Sequence, residues 1–491
     1  MLDHLIARAG KSIPVLPLHE KALAVWLKGQ PAAVQQWIRL AEFKAKPASF
    51  CLVPDGRGLP AQVLVGVEEG IDRWSLGSLP GALPSGTYRL DDDLPPQEAS
   101  AHAFAWAMGC YRFGRYKSEA KEFAKLVWPK AADRRAVEIA ARAMGLVRDL
   151  INTPADDMGP PELAAAVRAV AEAHKAKLRV IVGDDLLKQN YPTIHAVGRA
   201  AAKAPRLIDL RWGSRGPKLT LVGKGVCFDT GGLDLKSASY MKMMKKDMGG
   251  GALMLGLAQM IMAAGLPVQL RLLIPAVENS VSGNAFHPWD VIKTRKGITV
   301  EIGDTDAEGR LILCDALAEA DAEKPDLIID VATLTGSARV ALGPDLPALF
   351  VNDDDIAEAV LKHGRTEGDP FWRLPLWKPY LRMLESKVAD INNCSESNFA
   401  GAITAALYLG EFVSARTKWI HIDTMGWTPG NRPGRPEGGE ALGLRALYAF
   451  VAEWAKATSG PVARIITKKP APRPGQRPAA RNARAGRRLR R

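Results

Sequence analysis

The stretch LTLVGKGVCFDTGGLDLK (219–236) joins an apolar run to a segment with four charges and two adjacent glycines. An apolar run of that length without alternation has no wet face, so it reads as a strand inside a mainly parallel sheet covered by helices on both sides. The charges begin just past its carboxyl end, where open α/β sheets place their sites. The same signal recurs in LRVIVG (178–183), LRLLIPA (270–276), LIIDVATL (327–334) and WIHIDTM (419–425), interleaved with Ala-, Leu- and Met-rich helical stretches. This alternation predicts an α/β fold with a mainly parallel or mixed central sheet. The longest apolar run, GGGALMLGLAQMIMAAGL (249–266), falls just short of a membrane span, and its glycines make it a buried helix.

Upstream, FCLVPD (50–55) and AQVLVGVE (61–68) are short strands, and ASAHAFAWAMGCYRF (99–113) is helix-like, without a catalytic constellation. The helical spacing of 133–152 stops at NTPADDMGPP, where Asn152, Pro154, Gly159 and two prolines supply the break. The chain therefore divides into a smaller N-terminal α/β domain (1–132), a connecting helix (133–152), a larger domain carrying the chemistry (153–458) and a tail (459–491).

Length and composition fit this division: 491 residues with 47% hydrophobic content exceed one ordinary core. Asp3 interrupts the N-terminus and no signal-length apolar core follows it, so no export signal is read. The five cysteines, Cys51, Cys110, Cys227, Cys314 and Cys394, are scattered without a C-x-x-C pair, which excludes a thiolate zinc site and fits a reducing cytoplasm. The net charge of +13 is local. Eleven Lys or Arg and no acid lie between Pro461 and Arg491, leaving +2 for the rest of the chain. Such a tail is expected to be disordered, with weak, salt-sensitive attachment to RNA, DNA or anionic lipid as the alternative.

Two charged knots carry the chemistry. The first presents Lys224, Asp229, Lys236 and Asp247; the second, DTDAEGR (304–310), presents Asp304, Asp306, Glu308 and Arg310. Asp306 and Glu308, two apart, project to one side of an extended segment. Four carboxylates near strand ends repel one another unless cations bind, and two divalent ions balance Asp229, Asp247, Asp306 and Glu308. Without H-E-x-x-H or a Cys cluster, an oxygen-rich dinuclear site follows, its ions bridged by a water acidic enough to supply hydroxide. Lys224 could ligate only as a neutral amine, whereas Lys236 could stay cationic and polarise a carbonyl. Lys242, Lys245 and Lys246 are expected to be solvated loop lysines.

VGKGVCFDTGGLDLK, KMMKKDMGG, DTDAEGRLILCDAL and DVATLTGS, with NTPADDMGPPELA and FAGAITAALYLGEFV, together resemble the leucyl aminopeptidases, a family of dinuclear metallopeptidases. The resemblance runs from about Arg148 to Phe450; the N-terminal third resembles the family in size and position only. It implies that Lys224, Asp229, Asp247 and Glu308 hold one metal and Asp229, Asp306 and Glu308 the other, the ions being zinc, manganese or magnesium. It also implies that Lys236 stabilises the oxyanion and that Arg310 clamps a bicarbonate relaying the proton. Short peptides with a free N-terminus, a homohexamer, a cytoplasmic location and no membrane association are further implications. Met244, Thr333 and Gly336 match positions lining the first side-chain pocket, and Met425 stands where many relatives carry a small residue, which predicts a narrowed pocket. Asp304 departs from the usual Asn and is expected to be a turn or capping acid. A dinuclear hydrolase of another ester or amide is the rival reading.

Overall fold

The structure, a computed structural model, describes residues 1–117 and 122–459. The tail expected from residue 459 onward lies outside the described residues past Ser459.

The N-terminal domain is a six-stranded sheet in the order Leu5–Ile6, Lys125–Val127, Thr87–Arg89, Ile13–Leu18, Pro60–Gly66, Phe50–Pro54. All of its pairings are parallel except the last. Its helix Pro96–Gly109 is buried on nearly every side, because alanines alternate with Phe104, Trp106 and Met108 and let the helix sink into the domain.

The connecting helix, Arg134–Asn152, starts where Asp133 caps it by accepting from the Ala136 N–H (3.0 Å). Its inner face packs on the helix Gly249–Ala264. Contact is close because Gly256 lacks a side chain: a Cβ there would sit 2.6 Å from Val147. Arg148 on the same face is wholly buried and forms an ion pair with Glu440 (2.9 Å), while its Nη1 donates to the Gly434 carbonyl (3.0 Å). A buried pair whose donors are so fully used fixes register more than it adds stability.

The larger domain is built on a nine-stranded sheet. Four central strands, Gln269–Asn279, Lys218–Gly223, Leu327–Ala332 and Trp419–Asp423, run parallel, and Gly225–Asp229 continues parallel to the upper end of Gln269–Asn279. Arg206–Trp212 and Ala348–Val351 flank them antiparallel, with Lys177–Val182 and Trp372–Arg373 outermost. Both faces are dry. Leu219, Leu221, Ile329 and Val331 enter one core with the helices Pro160–Ala173 and Gly249–Ala264, while Val222, Ile328 and Ala332 enter a second with Glu308–Ala322 and Gly401–Gly410. Each fully buried Leu or Ile contributes about 1.5–3 kcal/mol.

The expected strands are present, and the mixed sheet with a parallel centre is the one anticipated. Two strands that the apolar pattern passes over are the antiparallel ones. Arg206–Trp212 looks charged because Asp209 is buried against Arg271 (2.7 Å), and Ala348–Val351 has only four residues. The apolar run 249–266 forms the helix Gly249–Ala264. By length and hydropathy the segment Met244–Ala264 passes for a membrane span, but 83% of its most apolar 18-residue window is buried inside the fold.

Candidate metal centre and active site

Five parallel strands deliver residues to one place. Lys224 follows Lys218–Gly223 at a break in that strand, where its N–H donates to Val331 (3.0 Å) and its carbonyl accepts from Gly251 (2.7 Å). Asp229 ends Gly225–Asp229, Asn279 ends Gln269–Asn279, Thr333 follows Leu327–Ala332 and Asp423 ends Trp419–Asp423. Asp247 sits in the turn Met244–Met248 that leads into Gly249–Ala264, and Glu308 is the first residue of Glu308–Ala322.

Asp229 is held rigidly. One oxygen accepts from the Gly231 N–H (2.8 Å) and the Asn279 amide (2.9 Å), leaving the other 2.9 Å from Lys236 Nζ. The turn beyond it needs its glycines: Gly231 and Gly232 have φ of +90° and +67°, and a Cβ on Gly231 would lie 2.4 Å from the Asp234 carbonyl. The Thr333 hydroxyl donates to Asp247 (2.7 Å). Lys236 also contacts Asp306.

Asp229, Asp306 and Glu308 offer carboxylate oxygens within 4.8 Å of one another. The convergence is as expected, but its cause is different. Asp306 lies in a turn and Glu308 opens a helix, so the two meet through a bend and not along an extended segment. Asp304 makes that bend by accepting from the Asp306 N–H (2.7 Å). Asn offers the same acceptor, so this change of residue preserves the turn. Arg310 is buried and donates to the Asn393 carbonyl (2.6 Å), while its Nε has no partner.

The electrostatics call for cations. Lys224 Nζ lies 2.8 Å from both Asp247 Oδ2 and Glu308 Oε1 and donates to the Thr333 carbonyl (3.0 Å). Asp229, Asp247, Asp306 and Glu308 outnumber the two lysines in contact with them, Lys224 and Lys236, in a nearly dry site. Burial, then the charge of Asp229, pushes Asp306 up to about 7 and raises Glu308 well above the carboxylate range. Burial alone would depress the Lys224 ammonium; Asp247, Glu308 and Asp229 overcome it and raise it. Gly309 leaves the passage that Lys224 uses, since a Cβ there would meet its Cε at 2.6 Å. Carboxylate oxygens converging from Asp229, Asp306 and Glu308 in a largely buried acidic cluster fit bound divalent ions.

The cluster opens on a cavity of about 480 Å³ lined by Lys224, Asp229, Lys236, Asp247, Asp306 and Arg310. Met244, Thr333 and Gly336 form part of its wall. Met425 is half-buried beside Gly426 and does not contribute to the lining of this cavity. A hollow of about 1170 Å³ adjoins this cavity, sharing Asp234, Asp304 and Cys394 with it, and another of about 880 Å³ lies apart from it.

The sequence reading missed three positioning residues. Asn279 lies three residues beyond the quoted LRLLIPA, at the true strand end, so the strand-end rule could have found it. Thr305 bridges the two knots by donating to the Gly231 carbonyl (2.6 Å), and fully buried Asn393 accepts from the Gly303 N–H (2.8 Å). Neither carried a signal.

Comparison with known proteins places this geometry in context. The cytosol aminopeptidase family, catalytic domain, matches residues 145–448, and the M17 aminopeptidase N-terminal domain matches residues 13–129. A probable cytosol aminopeptidase from Roseiflexus castenholzii is 38% identical over 387 residues, covering 75% of this chain and 79% of that relative. The crystal structure of a cytosol aminopeptidase from Coxiella burnetii superposes with a TM-score of 0.89 at 47% identity, covering 92% of this chain and all of that one. The bottromycin maturation enzyme BotP in complex with Mn superposes with a TM-score of 0.82 at 33% identity, covering 90% of this chain and 99% of that one.

Proposed function

The chain belongs to the cytosol aminopeptidase family and is a hydrolase of peptide bonds, and from that premise we propose that it removes the N-terminal residue from short peptides with a free amino terminus. The carrying observation is the meeting of Asp229, Asp247, Asp306 and Glu308 with Lys224 and Lys236, beside a cavity that Arg310 also lines. Lys224, Asp229, Asp247 and Glu308 would hold one divalent ion and Asp229, Asp306 and Glu308 a second, as manganese, zinc or magnesium; the neighbour bound to Mn supports manganese. When bound, the pair supplies Lewis acidity and an activated water.

The protein's own groups do the rest. Lys236, kept cationic by Asp229 and then Glu308 despite its burial, stands at the cavity wall to polarise the scissile carbonyl and hold the developing oxyanion. Arg310, tethered through Nη1 and with Nε unused, would hold a bicarbonate that passes the proton to the leaving amine. Asn279 and Thr333 fix Asp229 and Asp247 so that neither carboxylate reorganises during the reaction. A homohexamer working in the cytoplasm completes the proposal.

Leucine α-amide and its N-acetylated form separate this from the rival hydrolase. The free amine should be hydrolysed at least about a hundredfold faster, the acetyl group removing an anchor of the substrate. Equal rates on the two would contradict an exopeptidase.

A further inference from the structure

The three lysines of KMMKKD, alike in the sequence, fold into three environments. Lys242 is exposed. Lys245 is half-buried, donates to the Asn152 carbonyl (2.7 Å) and lies 5.5 Å from the Trp427 ring centre, so it is not the solvated lysine expected. Lys246 corrects that expectation further: it is 2% exposed, lines the active-site cavity, and its Nζ has no hydrogen-bond partner.

The acids near Lys246 are committed elsewhere. Asp247 is taken by the Thr333 hydroxyl and Lys224. Asp423 accepts from the Leu334 N–H (2.9 Å), the Thr335 N–H (3.0 Å) and the Thr335 hydroxyl (2.6 Å). Arg339, on the helix Gly336–Leu342, lines the same cavity and is near enough to act on Lys246 electrostatically. It makes no ion pair among the described residues. Lys246 Nζ is buried without a hydrogen-bond partner although Asp247 and Asp423 are near enough to act on it, which is costly, and the lysine forms part of the wall of the cavity that a substrate enters.

We propose that Lys246, assisted by Arg339, forms a subsite for a carboxylate of the substrate. The inference rests on the aminopeptidase reading above. The carboxylate comes from the side chain of a released Asp or Glu, or from the C-terminus of a very short peptide. In either case the lysine is already stripped of water and fixed, so pairing with it requires little further ordering. A substrate lacking that carboxylate leaves the lysine unpaired, which is how polar sites discriminate strongly.

The test uses the metal-loaded protein and its Lys246→Met and Arg339→Gln variants, with bound metal measured to confirm that each site is intact. Values of kcat/KM are taken for glutamate α-amide against leucine α-amide, and for Leu-Gly against Leu-Gly-amide. A fall of tenfold or more in the Glu/Leu ratio in Lys246→Met, with a smaller fall in Arg339→Gln, supports a side-chain carboxylate. The same fall in the Leu-Gly/Leu-Gly-amide ratio, with Glu/Leu unmoved, supports a C-terminal one. Both ratios unchanged in both variants overturns the proposal and leaves the aminopeptidase reading standing. Failure of the unaltered protein to hydrolyse any of these substrates overturns that reading, and the inference with it. If Lys246→Met does not fold, Lys246→Gln and Arg339→Gln carry the same comparison.

Discussion

Glu308→Ala is expected to lose bound metal and peptide hydrolysis together, the rate falling about a thousandfold or more, or ~4 kcal/mol. Glu308 is 1% exposed, belongs to the acid cluster and contacts Lys224, so its carboxylate is shared by every part of the site. Its removal also frees Lys224 from one of its two close acids. Elemental analysis beside kcat/KM on leucine α-amide checks this, with near-UV circular dichroism reporting on the fold. A variant that keeps its metal and more than about a tenth of its rate would mean that Glu308 is not a ligand.

Lys236→Ala separates metal binding from catalysis. Lys236 contacts Asp229 and Asp306 as a counter-charge, and bound ions would take over that role, so metal content should survive. The rate should not. Losing a preorganised donor to the oxyanion costs about 2–4 kcal/mol, roughly 30- to 1000-fold in kcat. The loss should fall on kcat with KM little changed, because the interaction strengthens only as charge develops. Full activity in this variant would mean that the electrophile is another group.

The parallel centre of the sheet was legible because a strand buried on both faces leaves a continuous apolar run, and the strand-end rule then pointed to Lys224 and Asp229, whereas Thr333 came only with the family resemblance. The antiparallel flank was not, since Asp209 and Arg271 satisfy each other inside it and break the apolar signal. Asp306 and Glu308 were found for partly the wrong reason: spacing of two suggests a strand, whereas the Asp304 turn and the helix start bring them together. Lys246 marks a limit of a different kind. Nothing local distinguishes it from Lys242, and its burial appears only once the chain is folded. The tail, although it dominates the net charge, lies outside the described residues.

The central claim is that a pair of divalent ions, held by Lys224, Asp229, Asp247, Asp306 and Glu308, makes this chain an aminopeptidase. Its most direct test is the metal content of the purified, active protein, followed through chelation and restoration with Mn²⁺ or Zn²⁺ while hydrolysis of leucine α-amide is recorded. The account predicts about two ions per chain, loss of hydrolysis as they are removed, and its return as they are restored. Full hydrolysis at less than about a tenth of an ion per chain would contradict it.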